Sequence, residues 1–168
     1  MPRRANITNA MITILPLPPD DLPRVAHIAV HPEQVIFSGT IQQAFDTPTP
    51  EMDAYAIRHG DDVVGFFKID RAYSTIHDFA PPTGLGLRTV MVDASHQGMG
   101  IGRSLCEMLP AYLAQHYPDA CSLWLTVNLR NPGAVRAYAK GGFVDTGEHW
   151  LGGEAGPQHI MTMPLRAI

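Results

Sequence analysis

The apolar positions come in short runs cut by turn residues, and their period changes along the chain. Ile12 to Leu17 reads as a first strand, ended by Pro16, Pro18 and Pro19. Asp20 or Asp21 can cap a helix that puts Leu22, Val25, Ile28 and Ala29 on one face, with Pro23 in its first turn. A second helix is expected after Pro32, with Phe37, Ile41, Ala44 and Phe45 at helical spacing, broken by Thr47-Pro48-Thr49-Pro50. The period then falls to two. Tyr55 to Arg58 and Val63 to Asp70 read as a hairpin turned at His59-Gly60-Asp61-Asp62, with Val63, Gly65, Phe67 and Ile69 sharing a face. Tyr73 to Gly86 fits a long loop or a poor strand with a loop.

Leu87 to Asp93 reads as a strand, followed by a glycine turn and a helix from Arg103 to about His116. That helix is expected to turn Leu105, Met108, Leu109 and Tyr112 inward and to kink at Pro110. Cys121 to Val127 alternates Leu123, Leu125 and Val127. Asn131 caps a helix that starts at Pro132 and ends at Gly141-Gly142. Phe143 to Leu151 and His159 to Leu165 read as two last strands, with Met161 and Met163 facing the core. Met1 to Ala10 carries no clear period and reads as a loose lead.

Composition narrows the class. A length of 168 residues suggests one domain, 1–168 with a core about 12–165, and 45% hydrophobic residues are enough to fill it. A net charge of −4 argues against a nucleic-acid surface. The chain carries no apolar run of membrane-spanning length, and Arg3 and Arg4 are not followed by a signal-type stretch. Cys106 and Cys121 read as buried free thiols, which fits a reducing, cytoplasmic setting. His27 and His31 have the i, i+4 spacing of a metal pair, but the glutamate of a zinc protease motif is absent and no metal is expected.

The candidate chemistry lies at Gln97-Gly98-Met99-Gly100-Ile101-Gly102-Arg103, between a strand and a helix N-terminus. Glycines admit close backbone approach, and the first helical N–H groups have no internal partner, so the turn can cradle a pyrophosphate. The glycines lie past mid-chain, unlike a dinucleotide fingerprint, and no Lys-Ser/Thr follows as in a P-loop. Gln97-x-x-Gly100-x-Gly102 resembles the acyl-coenzyme A signature of the GNAT superfamily of N-acetyltransferases. Asn131, Ala134, Tyr138, Lys140, Gly142 and Phe143 are similar to that family's second signature, about thirty residues on, in the right order. The order of elements is that of the GNAT fold, an α/β (α+β) mixed twisted sheet with helices on both faces.

The resemblance implies acetyl-CoA as co-substrate and a primary amine as acceptor. It implies a thioester carbonyl held by the backbone N–H of Met91 or Val92 in a strand that splays from its neighbour, and a proton passed to sulfur by Tyr138. Cofactor contacts are expected from Met91, Val92, Asp93, Gln97, Gly98, Met99, Gly100, Ile101, Gly102, Arg103, Asn131 and Lys140. Catalysis is assigned to Tyr138 and Glu33, with Glu51, Asp93 and Glu148 as further candidates for the base. Pro32-Glu33-Gln34, Arg88 to Asp93 and Thr146-Gly147-Glu148 look like the bacterial spermine/spermidine acetyltransferase group, and Glu33, Asp78, Glu148 and Glu154 could meet a polycation. A protein N-terminus as acceptor, and a non-catalytic acyl-CoA sensor, are the rival readings. The resemblance also implies a homodimer through the last strands.

Overall fold

The computed structural model describes residues 11–46 and 49–165. The lead at 1–10 and Thr47-Pro48 of the expected helix break lie outside the described residues. Seven strands form one sheet in the order β1-β2-β3-β4-β5-β7-β6. They are β1 (Ile12–Pro16), β2 (Met52–His59), β3 (Asp62–Asp70), β4 (Gly84–Val92), β5 (Ser122–Asn128), β6 (Val144–Trp150) and β7 (Gln158–Pro164). Five of the six pairings are antiparallel. The exception joins β4 to β5 in parallel, over Gly84–Gly86 against Ser122–Trp124, and beyond Trp124 the two strands part.

Helices cover both faces. On one face lie α3 (Ile101–His116) and α4 (Pro132–Lys140), over a core that includes Phe67, Leu87, Leu105, Leu109, Leu123 and Met161. On the other, α2 (Ile41–Asp46) and the loops before it cover Ala56, Phe66 and Met91 with Val25, Ile28 and Ile41. Among the described residues no helix is long and apolar enough to cross a membrane.

Several elements differ from the periodic reading. The expected first helix is only a turn of 3-10 helix at Leu22–Arg24 followed by a further hydrogen-bonded turn, although Val25 and Ile28 are buried as expected. Three prolines, Pro18, Pro19 and Pro23, lie within two residues of Asp20-Asp21, and Pro23 and Arg24 are exposed, which leaves too little amphipathic length for an α-helix. His27 and His31 therefore share no helix, and His27 instead bonds the Val63 carbonyl at 2.7 Å. The second helix is split into a 3-10 turn at Pro32–Gln34, a single turn α1 (Val35–Ser38) and α2, because Gly39 takes a φ of +71°. In β3 a bulge shifts the register, so Val64 and not Val63 joins the Phe67 face. Pro110 sits within α3 without ending it; Leu113 is buried there, while Met108 is exposed and Tyr112 only flanks the core. Cys121 is exposed, beside Thr83 Oγ1 at 2.8 Å, and only Cys106 is buried. β6, at the sheet edge, is exposed along nearly its whole length and is bent by a register shift around Gly147, whose φ is +81°.

Candidate active site

The site forms where β4 ends. Thr89 has a φ of +55°, and it sits at a bulge where the β3 register slips between Phe66 and Lys68. A β-branched residue in that region is strained, and nothing in the sequence announces it. The bulge re-aims the strand just before Met91 and Val92. Beyond it the Asp93 N–H donates to the Val64 carbonyl at 2.8 Å, so alternation turns the Val92 main chain the other way, toward the gap beside β5. Of the two expected donors, Val92 therefore faces the gap, while Met91 is 1% exposed and packs under α2.

A 3-10 turn, Ala94–His96, links β4 to the glycine loop. Asp93 closes it: its carboxylate accepts from the Ser95 N–H and hydroxyl, and from the Ala29 N–H at 3.0 Å. Burial pushes this carboxyl up, but those hydrogen bonds outweigh it and hold the pKa below the ordinary value. Asp93 thus acts as a turn lock, a poor choice for a base.

Gln97 is equally occupied. Its side-chain amide makes a reciprocal pair with Gln34, at 2.8 and 3.1 Å, and donates to the Val92 carbonyl at 3.0 Å. It fastens the glycine loop to the turn that carries Glu33, and leaves only its main chain for a ligand. Glu33 itself is exposed.

The loop itself answers whether its glycines serve packing. Gly98 and Gly100 both have a φ of +81°, and Gly100 caps α3 with no side chain of its own. A Cβ built on Gly98, Gly100 or Gly102 would meet no atom within 4 Å. The protein leaves that ground open, and the N–H groups at the start of α3 face it. No acidic residue stands in the first turn of α3 to compete for them. Met99 is 45% exposed on the loop, Ile101 is buried beneath it, and Arg103 pairs with Glu107 at 2.9 Å.

Tyr138 stands on α4, on the α3 face of the sheet. Its ring meets Phe143 edge-on at 5.7 Å, and no described residue hydrogen-bonds its hydroxyl. Burial first, then the neighbouring Cys106, drive its pKa up, so it stays a proton donor at neutral pH. Cys106 is itself pushed up to about 12, mainly by burial, and its Cβ lies where a Cβ on Gly141 would fall, 2.3 Å away. Asn131 occupies the N-cap of α4 but makes no side-chain cap bond, contrary to its expected capping role. Just ahead of the helix, buried Asn128 accepts from the Arg130 N–H in a local turn and donates to the Ala155 carbonyl at 2.9 Å, tying β5 to the β6–β7 link. The Asn131 amide is left available. Lys140 is exposed in the last turn of α4.

The sequence model of the Acetyltransferase (GNAT) family matches residues 21–143. The chain belongs to the GNAT family of acetyltransferases. A curated relative, the "Uncharacterized N-acetyltransferase YbbJ" of Bacillus subtilis (strain 168), is 26% identical over 137 residues, covering 80% of this chain and 86% of the relative. Among solved structures, aminoglycoside acetyltransferase AAC(6')-Ib in complex with coenzyme A is similar with a TM-score of 0.75 at 19% identity, over 92% of this chain and 95% of that one. A mutant of the spermidine N-acetyltransferase SpeG from Vibrio cholerae is similar with a TM-score of 0.65 at 17% identity, over 94% and 95%. At these identities the solved structures establish the fold.

Proposed function

We propose that this protein transfers the acetyl group of acetyl-CoA directly to the primary amine of a small molecule. The observation that carries the reading is the open ground over Gly98, Gly100 and Gly102 at the start of α3, next to the gap between β4 and β5. In this reading the main-chain N–H groups of residues 98–103 hold the diphosphate, the Val92 main chain lines the pantetheine arm, and Asn131 and Lys140 add side-chain contacts. Asp93 and Gln97 hold the loop in shape. The amine nitrogen, neutral when it attacks, bonds to the acetyl carbonyl carbon. The carbon–sulfur bond breaks, the Tyr138 hydroxyl gives its proton to the thiolate, and the proton from nitrogen leaves through Glu33 or water.

A polyamine belongs to this acceptor class. The carboxylates expected to meet one, Glu33, Asp78, Glu148 and Glu154, are all exposed on four separate elements, and among the described residues no contact joins any two of them. The geometry therefore supports a small primary amine without requiring a polycation.

Calorimetry with acetyl-CoA, followed by coenzyme A release in the presence of polyamines, aminoglycosides, aryl amines and an alanine-initiated peptide, tests the reading. Acetyl-CoA is expected to bind, and one of the small amines to be turned over. Tyr138→Phe is expected to lower kcat by about 10²-fold with coenzyme affinity unchanged. No uptake of acetyl-CoA, or turnover confined to the peptide, would sink the proposal.

A further inference from the structure

The segment between β3 and β4 builds a second chemical surface, on the sheet face away from α3 and α4. Leu123, Leu125 and Val127 point into the core, so Trp124 and Thr126 of β5 look out on the other face, as do Gly84, Gly86 and Arg88 of β4. The Tyr73 ring lies over Gly86, where an added Cβ would come within 2.1 Å of it. His77 stacks on Tyr73 with ring centres 3.9 Å apart and planes within 10°. Phe79 touches Trp124 at 5.7 Å and Trp150 at 5.8 Å, and His77 touches Trp150 at 4.9 Å. Phe79, Trp124 and Trp150 are half-buried and keep part of their faces outward.

Tyr73 is 2% exposed, yet its buried hydroxyl has no hydrogen-bond partner. Thr126 is the hydrogen-bonding side chain beside it, in a geometry that falls short of a good bond. Thr126 stands two residues beyond Trp124, the last β5 residue paired with β4, so the hydroxyl sits where the two strands part. Tyr138 works from the opposite face of the same gap. A buried hydroxyl without a partner is uncommon, because it forgoes the bond that water would supply. Such a group marks a place where a ligand can supply the missing bond.

We propose that the Tyr73 hydroxyl and this wall of rings receive the acceptor, and that the acceptor is a primary monoamine with a flat apolar or aromatic body. The inference rests on the acetyl-transfer reading above and names the substrate class of that site. Ring faces accept an apolar body or a single ammonium. The charged groups acting on Tyr73 and His77 are Arg88, Asp70 and Asp78. Arg88 and buried Asp70 pair with each other at 3.3 Å, which leaves one exposed carboxylate, Asp78. That balance suits one positive charge and opposes a chain of them. The hydroxyl then orients the amine nitrogen beside the gap, as a positioning group.

Both tryptophans of the chain stand in this wall, so tryptophan emission reports on it alone. Phenethylamine and spermidine are the probes, used with the full chain and acetyl-CoA. Phenethylamine is expected to shift the emission saturably and to be acetylated with a kcat/KM about tenfold or more above that of spermidine. Tyr73→Phe keeps the ring stack and is expected to raise the phenethylamine KM about tenfold while the Kd of acetyl-CoA stays unchanged. Trp150→Ala, a second variant at the rim, is expected to weaken phenethylamine in the same direction. A preference for spermidine, or a wild-type KM in Tyr73→Phe, overturns the proposal. If neither amine is acetylated although acetyl-CoA binds, the fluorescence separates the two readings: a saturable shift with phenethylamine keeps the aromatic site and removes amine transfer, and no shift removes the site.

Discussion

Two glycine groups flank the same strand and serve opposite ends. Gly84 and Gly86, at the start of β4, are filled by their neighbours: a Cβ on either would press on Trp124 or Tyr73. At Gly98, Gly100 and Gly102, just past the end of β4, an added Cβ would meet nothing within 4 Å. The first pair is glycine so that two aromatic rings can lie on the sheet. Gly98 and Gly100 let the backbone fold left-handed, and all three leave it accessible. Identical residues thus mark a packed surface at one end of a strand and a receptive one at the other, and only the surroundings tell them apart.

Substitution should expose that contrast. The largest effect is expected at Gly86→Ala, whose methyl group would collide with the Tyr73 ring at 2.1 Å; a loss of about 3 kcal/mol is expected in urea unfolding, eased by adding Tyr73→Ala. Gly102→Ala should behave the other way. Its methyl group enters open space in the first turn of a helix, so stability should rise by up to about 1 kcal/mol while acetyl-CoA binds about tenfold more weakly by calorimetry. Equal losses of stability at both positions would erase the distinction.

The smallest effect concerns acid. His77 is held below its ordinary pKa, chiefly by burial and further by Arg88, against the pull of the Tyr73 carbonyl, Asp70 and Asp78. The unfolded state therefore takes up this proton first. The stability held by neutral His77 is complete above an unfolded pKa of about 6.5, and is lost as pH falls from there through the lower folded value. Comparing the pH dependence of unfolding for wild type and His77→Gln should show a shallower acid limb in the variant; parallel limbs would mean that the stacked ring titrates freely.

The strands and the two long helices could be read from the chain because their signals are local. Alternation marked β5 and β7, and a proline start with a glycine stop bounded α4. The glycine loop was legible for the same reason, since its spacing reflects backbone dihedrals. What stayed hidden depends on distant partners. Gln97 is legible as a member of the loop, but the pairing of its side chain with Gln34, far off in the chain, is not. The bulge at Thr89 comes from the β3 register against a residue that locally favours an ordinary strand. The role of Tyr73 to Phe79 was illegible because no period runs through the segment; its order comes from rings contributed by β5 and β6.

The three-residue ladder between β4 and β5 is the thinnest seam in the sheet. Strands β1 to β4 are contiguous in sequence and wired to one another, and β5 to β7 likewise, so the halves meet through this narrow join and the helices laid across it. A molecule slotted into the cleft would act as a keystone, bracing one half against the other from within.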